Sequence, residues 1–180
     1  HTEASRPAVS DGAAEVIAVE NLGIRYGTQV VLEDINFRVY RGERFIILGE
    51  SGCGKSALLK HMIGLEKAWR GRVLINGVDV VSSDEKNLRR IRMGLGVLFQ
   101  GDALFGSMTL FDNVALPLFE YTDLDPEMIE DIVRMKLALV NLSGFEDRLP
   151  DELSGGMKKR AGMARAMALD PQLLFLDEPW

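Results

Sequence analysis

Three stretches carry residues whose types and spacing could do chemistry. The first, Gly49-Glu50-Ser51-Gly52-Cys53-Gly54-Lys55-Ser56, fits the pattern G-x-x-x-x-G-K-[ST]. A loop of this kind wraps its own N–H groups around phosphate oxygens, through backbone angles that a Cβ would block. Lys55 adds a point charge for β- and γ-phosphates, and Ser56 offers a hydroxyl to Mg2+. The second is Asp177-Glu178, which follows an apolar run directly. There one carboxylate can orient Mg2+ and the next can take a proton from water. The third is Leu153-Ser154-Gly155-Gly156, followed by Met157-Lys158-Lys159-Arg160. Positive charge in the first turns of a helix is disfavoured by about 0.3 to 1 kcal/mol per residue. Three basic residues beside glycine N–H groups therefore point to a bound anion; the alternative is that the long side chains splay into solvent.

These groups need a frame. A short apolar strand over residues 45–48 is expected to open into the phosphate loop, and the loop into a helix over residues 55–64. That helix would add the partial positive charge and unpaired N–H groups of its N-terminus. Residues 16–26 and 30–40 alternate in polarity around a Gly27-Thr28 turn and read as an antiparallel pair, with Glu33 and Asp34 making the early half of the second strand irregular. Residues 71–80 contain Asn76-Gly77, a strong hairpin signal. Ser83 or Asp84 can cap a helix over residues 85–92, and a buried strand over residues 95–99 then ends at Gln100.

From Thr109 the period changes to helical, with Leu110, Phe111, Val114, Ala115 and Leu118 on one face and Pro117 near the expected stop. A second helix starts at Asp125-Pro126-Glu127 and carries Ile129, Val133, Leu137 and Val140 as its apolar stripe. Ser154 is a good N-cap for a helix running to residue 169. Residues 172–176 read as a buried strand that delivers the two acids to the carboxyl edge of a parallel sheet, where ligands of open α/β sheets bind.

Composition sets the outer bounds. A chain of 180 residues with a net charge of −6 suits one domain and does not advertise nucleic acid as a partner. Its single cysteine, Cys53, excludes an internal disulfide and fits a small-residue position in the loop, with packing rather than redox chemistry as its role. No apolar run reaches the roughly 18 residues of a membrane helix, so a soluble protein is expected. Residues 1–15 are small and polar and read as a tail outside the folded domain.

With these residues in view, the chain resembles the ATP-binding subunit of ABC transporters from about Val16 to Pro179. Residues 49–56 resemble Walker A, Gln100 the Q-loop glutamine, residues 153–156 the ABC signature, and residues 173–178 Walker B with Glu178 as its catalytic glutamate. The resemblance implies an α/β P-loop NTPase fold with an antiparallel β subdomain and Walker A core (residues 16–102), a helical subdomain (103–152), and a signature helix with the Walker B strand (153–180). It also implies ATP and Mg2+ as ligands. Tyr26 would stack on adenine; Gly49, Glu50, Ser51, Gly52, Cys53, Gly54, Lys55, Ser56 and Ala57 would line the phosphates; Ser56, Asp177 and Gln100 would serve the metal. Lys55 and Gln100 would join Glu178 in catalysis, with Gln100 reporting the γ-phosphate to the helical subdomain. Ser154, Gly155 and Gly156 of a second copy, arranged head to tail, would close over the γ-phosphate.

A narrower likeness is carried by residues 98–105, residues 108–118 and the Met157 that follows the signature: these resemble the MlaF-type, Mla- and Mce-associated ATPases of phospholipid transport. In that branch the ATPase works on the cytoplasmic face of the bacterial inner membrane against an integral-membrane permease. An ABC ATPase for amino acids, ions or drugs, or one outside transport, is the alternative. Two departures stand out. Ala57 replaces the usual threonine, which implies modestly weaker binding near the α-phosphate. The sequence also stops at Trp180, before the family's D-loop and switch histidine, so a C-terminally truncated cassette with poor turnover is expected. His61 sits on the Walker A helix and is expected to be an ordinary surface or partly buried residue.

Overall fold

The structure, a computed structural model, describes residues 13–50, 52–99 and 104–177. Ser51, Gln100 and Glu178 lie outside them. The chain divides into two compact units between Ile91 and Arg92.

The first unit is built on a four-stranded antiparallel sheet of order β2-β1-β3-β4. Strands β1 (Glu15–Tyr26) and β2 (Gln29–Tyr40) form the expected hairpin around Gly27-Thr28. Its register slips at several points, and Asn21 and Asp34 adopt positive φ of 47° and 58° there. Asn36 holds this irregular stretch: its Oδ1 accepts from Asn21 N at 2.8 Å and its Nδ2 donates to the Asp34 carbonyl at 2.9 Å. Strands β3 (Arg70–Ile75) and β4 (Val78–Asp79) meet through Asn76-Gly77, both at positive φ as a tight hairpin turn demands. Ile17, Val19, Leu22, Ile24, Val73 and Ile75 supply buried side chains from the sheet. The phosphate loop leads into α1 (Lys55–Met62), whose Leu58, Leu59 and Met62 are buried. Helix α2 (Glu85–Met93) begins after Asp84, whose Oδ1 accepts from Asn87 N at 2.9 Å.

Residues 45–48, expected as a strand, run without a ladder, and Ile46 and Leu48 are 59 % and 57 % exposed. Apolar alternation proposes a strand, but a ladder needs a hydrogen-bonding neighbour. None pairs with this segment among the described residues.

The second unit packs three helices beside a parallel pair of strands, β5 (Leu95–Leu98) and β6 (Leu173–Leu176). Helix α3 (Leu110–Tyr121) opens with a reciprocal cap: Asp112 N donates to Thr109 Oγ1 at 3.1 Å and Thr109 N to Asp112 Oδ2 at 3.3 Å. Helix α4 (Pro126–Leu139) starts on Asp125, whose Oδ1 accepts from Glu127 N. Helix α5 (Gly155–Ala166) starts on Ser154. Leu110, Val114, Ala115 and Leu118 of α3 meet Ile129, Val133 and Leu137 of α4 and Ala161 and Ala164 of α5 in one core. The small residues of α5 let it approach closely. A Cβ on Gly96 of β5 would fall 2.2 Å from the Ala166 carbonyl, so only glycine fits there.

Two expectations change in this unit. Pro117 does not end α3, which continues to Tyr121. An interior proline costs about 3 kcal/mol, and burial of Leu118 (2 % exposed) one residue later offsets much of that. The helix ends instead where Thr122 N and Oγ1 both donate to the Leu118 carbonyl. Strand β6 is only half buried, with Leu174 and Leu176 at 46 % and 42 % exposed. Along it, half-buried Leu173 and Phe175 alternate with exposed Leu174 and Leu176.

Candidate nucleotide site

The phosphate loop turns on Gly54, which has φ of +99° and caps α1. A Cβ there would be strained by that angle and would press on Val31 Cγ1 at 3.0 Å and Leu32 Cγ at 3.1 Å. The loop folds back on Lys55, whose Nζ donates to the carbonyls of Gly49 at 2.8 Å and Glu50 at 2.9 Å and lies 3.9 Å from Cys53 Sγ. Cys53 N donates to the Glu50 carbonyl at 3.2 Å, and its sulfur fills the space beside Gly49, where an added Cβ would stand 2.5 Å away. Gly49, Glu50 and Cys53 thus meet the one ammonium group of Lys55, while Gly52, Gly54, Ser56 and Ala57 lie in the same loop and the first turn of α1.

The start of α1 differs from the other capped helices. Thr109, Asp125 and Ser154 each cap their helix with a side-chain oxygen. At α1 no side chain among the described residues hydrogen-bonds as a cap, and no acidic residue lies in the first turn. This N-terminus carries the helix's partial positive charge, and Lys55 adds a full charge beside it. The arrangement fits a polyphosphate anion, and nucleotide binding is chemistry it can perform.

Tyr26 ends β1 with its ring 47 % exposed, and its hydroxyl donates to Glu66 Oε2. This bond, reinforced by burial, pushes the phenol up to about 12, and the same bond holds the Glu66 carboxyl below its usual range. His61 is 3 % exposed, against the expected surface or partly buried placement. It lies under Tyr26 because the inward side of α1 faces the hairpin. A depressed carboxylate contributes stability that is whole above its ordinary value of 4.5 and is lost as pH falls through its folded value. Thermal melts of the wild type and Glu66→Gln are therefore expected to differ at neutral pH and to converge in acid, where a protonated Glu66 resembles glutamine. A gap that persists unchanged in acid would refute this.

In the second unit, Asp177 continues the parallel pair. Its N–H donates to the Leu98 carbonyl at 2.8 Å, and the residue is 8 % exposed at the carboxyl end of β6, as the sequence led us to expect. Ser154 Oγ accepts from Met157 N at 3.3 Å. Gly155 and Gly156 are exposed, with no atom within 4 Å of where a Cβ would stand. The basic cluster behind them is partly engaged. Lys158 lies 3.9 Å from Asp151, and Arg160 donates to the Val140 carbonyl at 3.3 Å. These contacts explain part of the positive charge without an anion.

Sequence reasoning missed two residues. Asn113 is fully buried on the apolar face of α3, where its Oδ1 accepts from Phe105 N at 2.8 Å and its Nδ2 donates to the carbonyls of Phe105, Met108 and Thr109. A polar residue inside the stripe Leu110, Val114, Leu118 was the available signal. Glu66 gave none, because its partner Tyr26 lies 40 positions away.

Comparison with known proteins bears on the same residues. Residues 32–180 match the family model described as ABC transporter. The chain is 49 % identical over 163 residues to the probable ribonucleotide transport ATP-binding protein mkl of Mycobacterium tuberculosis, covering 91 % of this chain and 45 % of that protein. It is 42 % identical over 165 residues to the intermembrane phospholipid transport system ATP-binding protein MlaF of Haemophilus influenzae, covering 92 % of this chain and 62 % of that one. Among solved structures, the dimeric bacterial ABC transporter cassette MJ0796 superposes with a TM-score of 0.82 at 29 % identity, over 91 % of this chain and 74 % of that chain. A post-hydrolysis dimer of the same cassette bound to ADP and Pi gives 0.81 at 28 %. No described helix is long and apolar enough to cross a membrane. The chain thus spans about half the length of the mkl proteins it matches, and it belongs to the ABC transporter family, with the fold of its ATP-binding cassettes.

Proposed function

We propose that this chain is the nucleotide-binding subunit of an ABC transporter that couples ATP hydrolysis to phospholipid movement in the bacterial envelope. The observation that carries the nucleotide part is the uncapped N-terminus of α1 with the Lys55 ammonium beside it. In this reading the loop N–H groups and Lys55 grip the β- and γ-phosphates, and Tyr26 lies under the adenine. Ser56, Asp177 and Gln100 would hold Mg2+, which when bound offsets phosphate charge. Glu178 takes the proton of the attacking water. Ser154, Gly155 and Gly156 serve the nucleotide of a second copy, and their exposure leaves them available for it. The solved cassette is dimeric and, in one form, holds ADP and Pi, which supports both the ligand and the pairing.

Phospholipid as cargo is supported by the MlaF relatives at 37 % and 42 % identity. A second reading is favoured by the mkl proteins at 49 %, named for ribonucleotide transport. In either reading the ATPase would work against a membrane permease on the cytoplasmic face of the inner membrane. The test is to purify the protein from bacterial membranes and reconstitute what accompanies it. An integral-membrane partner is expected, and with it ATP-dependent transfer of labelled phospholipid between vesicles. Transfer of a nucleotide instead would replace the lipid reading; no membrane partner at all would remove the transport reading.

A further inference from the structure

Tyr26 is half exposed at the end of a hairpin, so packing alone would leave its side chain free among three staggered wells. Two residues from the far end of α1 and the turn beyond it restrict it. The hydroxyl donates to Glu66 Oε2, and the ring meets His61 edge-on, with centroids 6.2 Å apart and planes at 67°. His61 is itself fixed. Its Nδ1 lies 2.7 Å from the Ala57 carbonyl, which only accepts, so that nitrogen carries the proton. Glu66 is held in turn, with Lys60 Nζ 3.6 Å from Oε1, His61 Nδ1 3.9 Å from Oε2, and its own N–H donating to the Lys60 carbonyl at 3.4 Å.

We propose that Glu66 is a positioning residue for base recognition: it locks the Tyr26 ring in the one orientation that presents its face to adenine. The helix that begins at the phosphate loop would then end by aiming the base platform, so a single element sets the spacing between phosphate grip and base contact. This rests on the reading of Tyr26 as the adenine-stacking residue. Glu66 touches no ligand and acts only through Tyr26.

The experiment measures the affinity of ATP and of inorganic tripolyphosphate, which lacks a base, for wild type, Glu66→Ala, Glu66→Gln, Tyr26→Phe, Tyr26→Ala and the double variant Glu66→Ala/Tyr26→Phe. Full release among three wells would leave about one third of molecules poised, and the His61 contact remains, so Glu66→Ala should weaken ATP about two- to threefold. Tripolyphosphate should bind as before. Tyr26→Phe should match that loss, and the double variant should add nothing to it. Glu66→Gln keeps an acceptor for the hydroxyl and should restore wild-type affinity. Tyr26→Ala removes the stacking surface and should weaken ATP about tenfold. Wild-type ATP affinity in Glu66→Ala alongside a weakened Tyr26→Ala would overturn the positioning role and spare the platform. Unchanged affinity in Tyr26→Ala would overturn the platform reading and the proposal with it. Equal losses for ATP and tripolyphosphate in Glu66→Ala would also overturn the proposal, since Glu66 would then act on the phosphate loop.

Discussion

Replacing Lys55 with alanine is expected to weaken ATP binding by at least about a hundredfold, since hydrogen bonds to charged groups contribute about 1.5 to 3 kcal/mol each and two phosphate contacts would go. The geometry makes this residue hard to replace. Its Nζ sits 2.8 and 2.9 Å from two loop carbonyls, so the ammonium both orders the loop and faces what the loop encloses. Alanine removes the charge and leaves two inward carbonyl oxygens that repel phosphate. Arginine keeps a charge, but its wide planar fork does not fit where a compact ammonium sat, so Lys55→Arg should fall between the two. Calorimetric titration with Mg-ATP reads the result directly. Equal affinity in wild type and Lys55→Ala would remove the central assignment. A loss that disappears at high salt would show that only long-range attraction was involved.

The second large effect is on stability. Asn113 is fully buried and satisfies four backbone groups at once, all in the segment from Phe105 to Thr109. The Phe105 carbonyl also accepts from Met108 N, and the Thr109 carbonyl from Asn113 N, so those two keep a partner in any variant. Phe105 N and the Met108 carbonyl lose theirs. Both groups are only part-buried, and each left unmet costs toward the low end of about 1 to 3 kcal/mol, so Asn113→Leu, similar in volume, should cost about 2 kcal/mol. Asn113→Asp keeps the acceptor for Phe105 N but sets a carboxylate against three carbonyl oxygens, and should cost more. Denaturant unfolding would show a lower midpoint with an unchanged slope. A change below about 0.5 kcal/mol, the size of an ordinary surface substitution, would show that the segment is held by other contacts. Through this network α3 fixes the short stretch that follows the Gln100 region.

Much of the fold was legible because its signals are local. Thr109 with Asp112, Asp125 with Glu127, and Ser154 with Met157 are pairs two or three residues apart; the sequence implied a helix start at each and named Ser154 as a cap. The Asn76-Gly77 turn follows from a similarly short pattern, and residues 95–98 and 173–176 were each legible as a short strand, though not as partners. Where the reading failed, the deciding neighbour was distant. Residues 45–48 have the composition of a strand and no partner to make them one. Pro117 reads as a stop until the burial of Leu118 is known. His61 reads as a surface or partly buried residue until the hairpin covers it.

By itself, the amino-acid sequence determined that this chain holds a phosphate loop, acids at a strand's end and a glycine-rich helix start, in the order of an ABC cassette. Those features are spacings along the backbone, and the backbone geometry of a loop or a cap is set within a few residues. Only the tertiary structure decided that Glu66 reaches Tyr26, that the hairpin buries His61, and that β5 pairs with β6. Such bonds depend on how folding brings separated surfaces together, and the energy of each is decided by burial that no local pattern records.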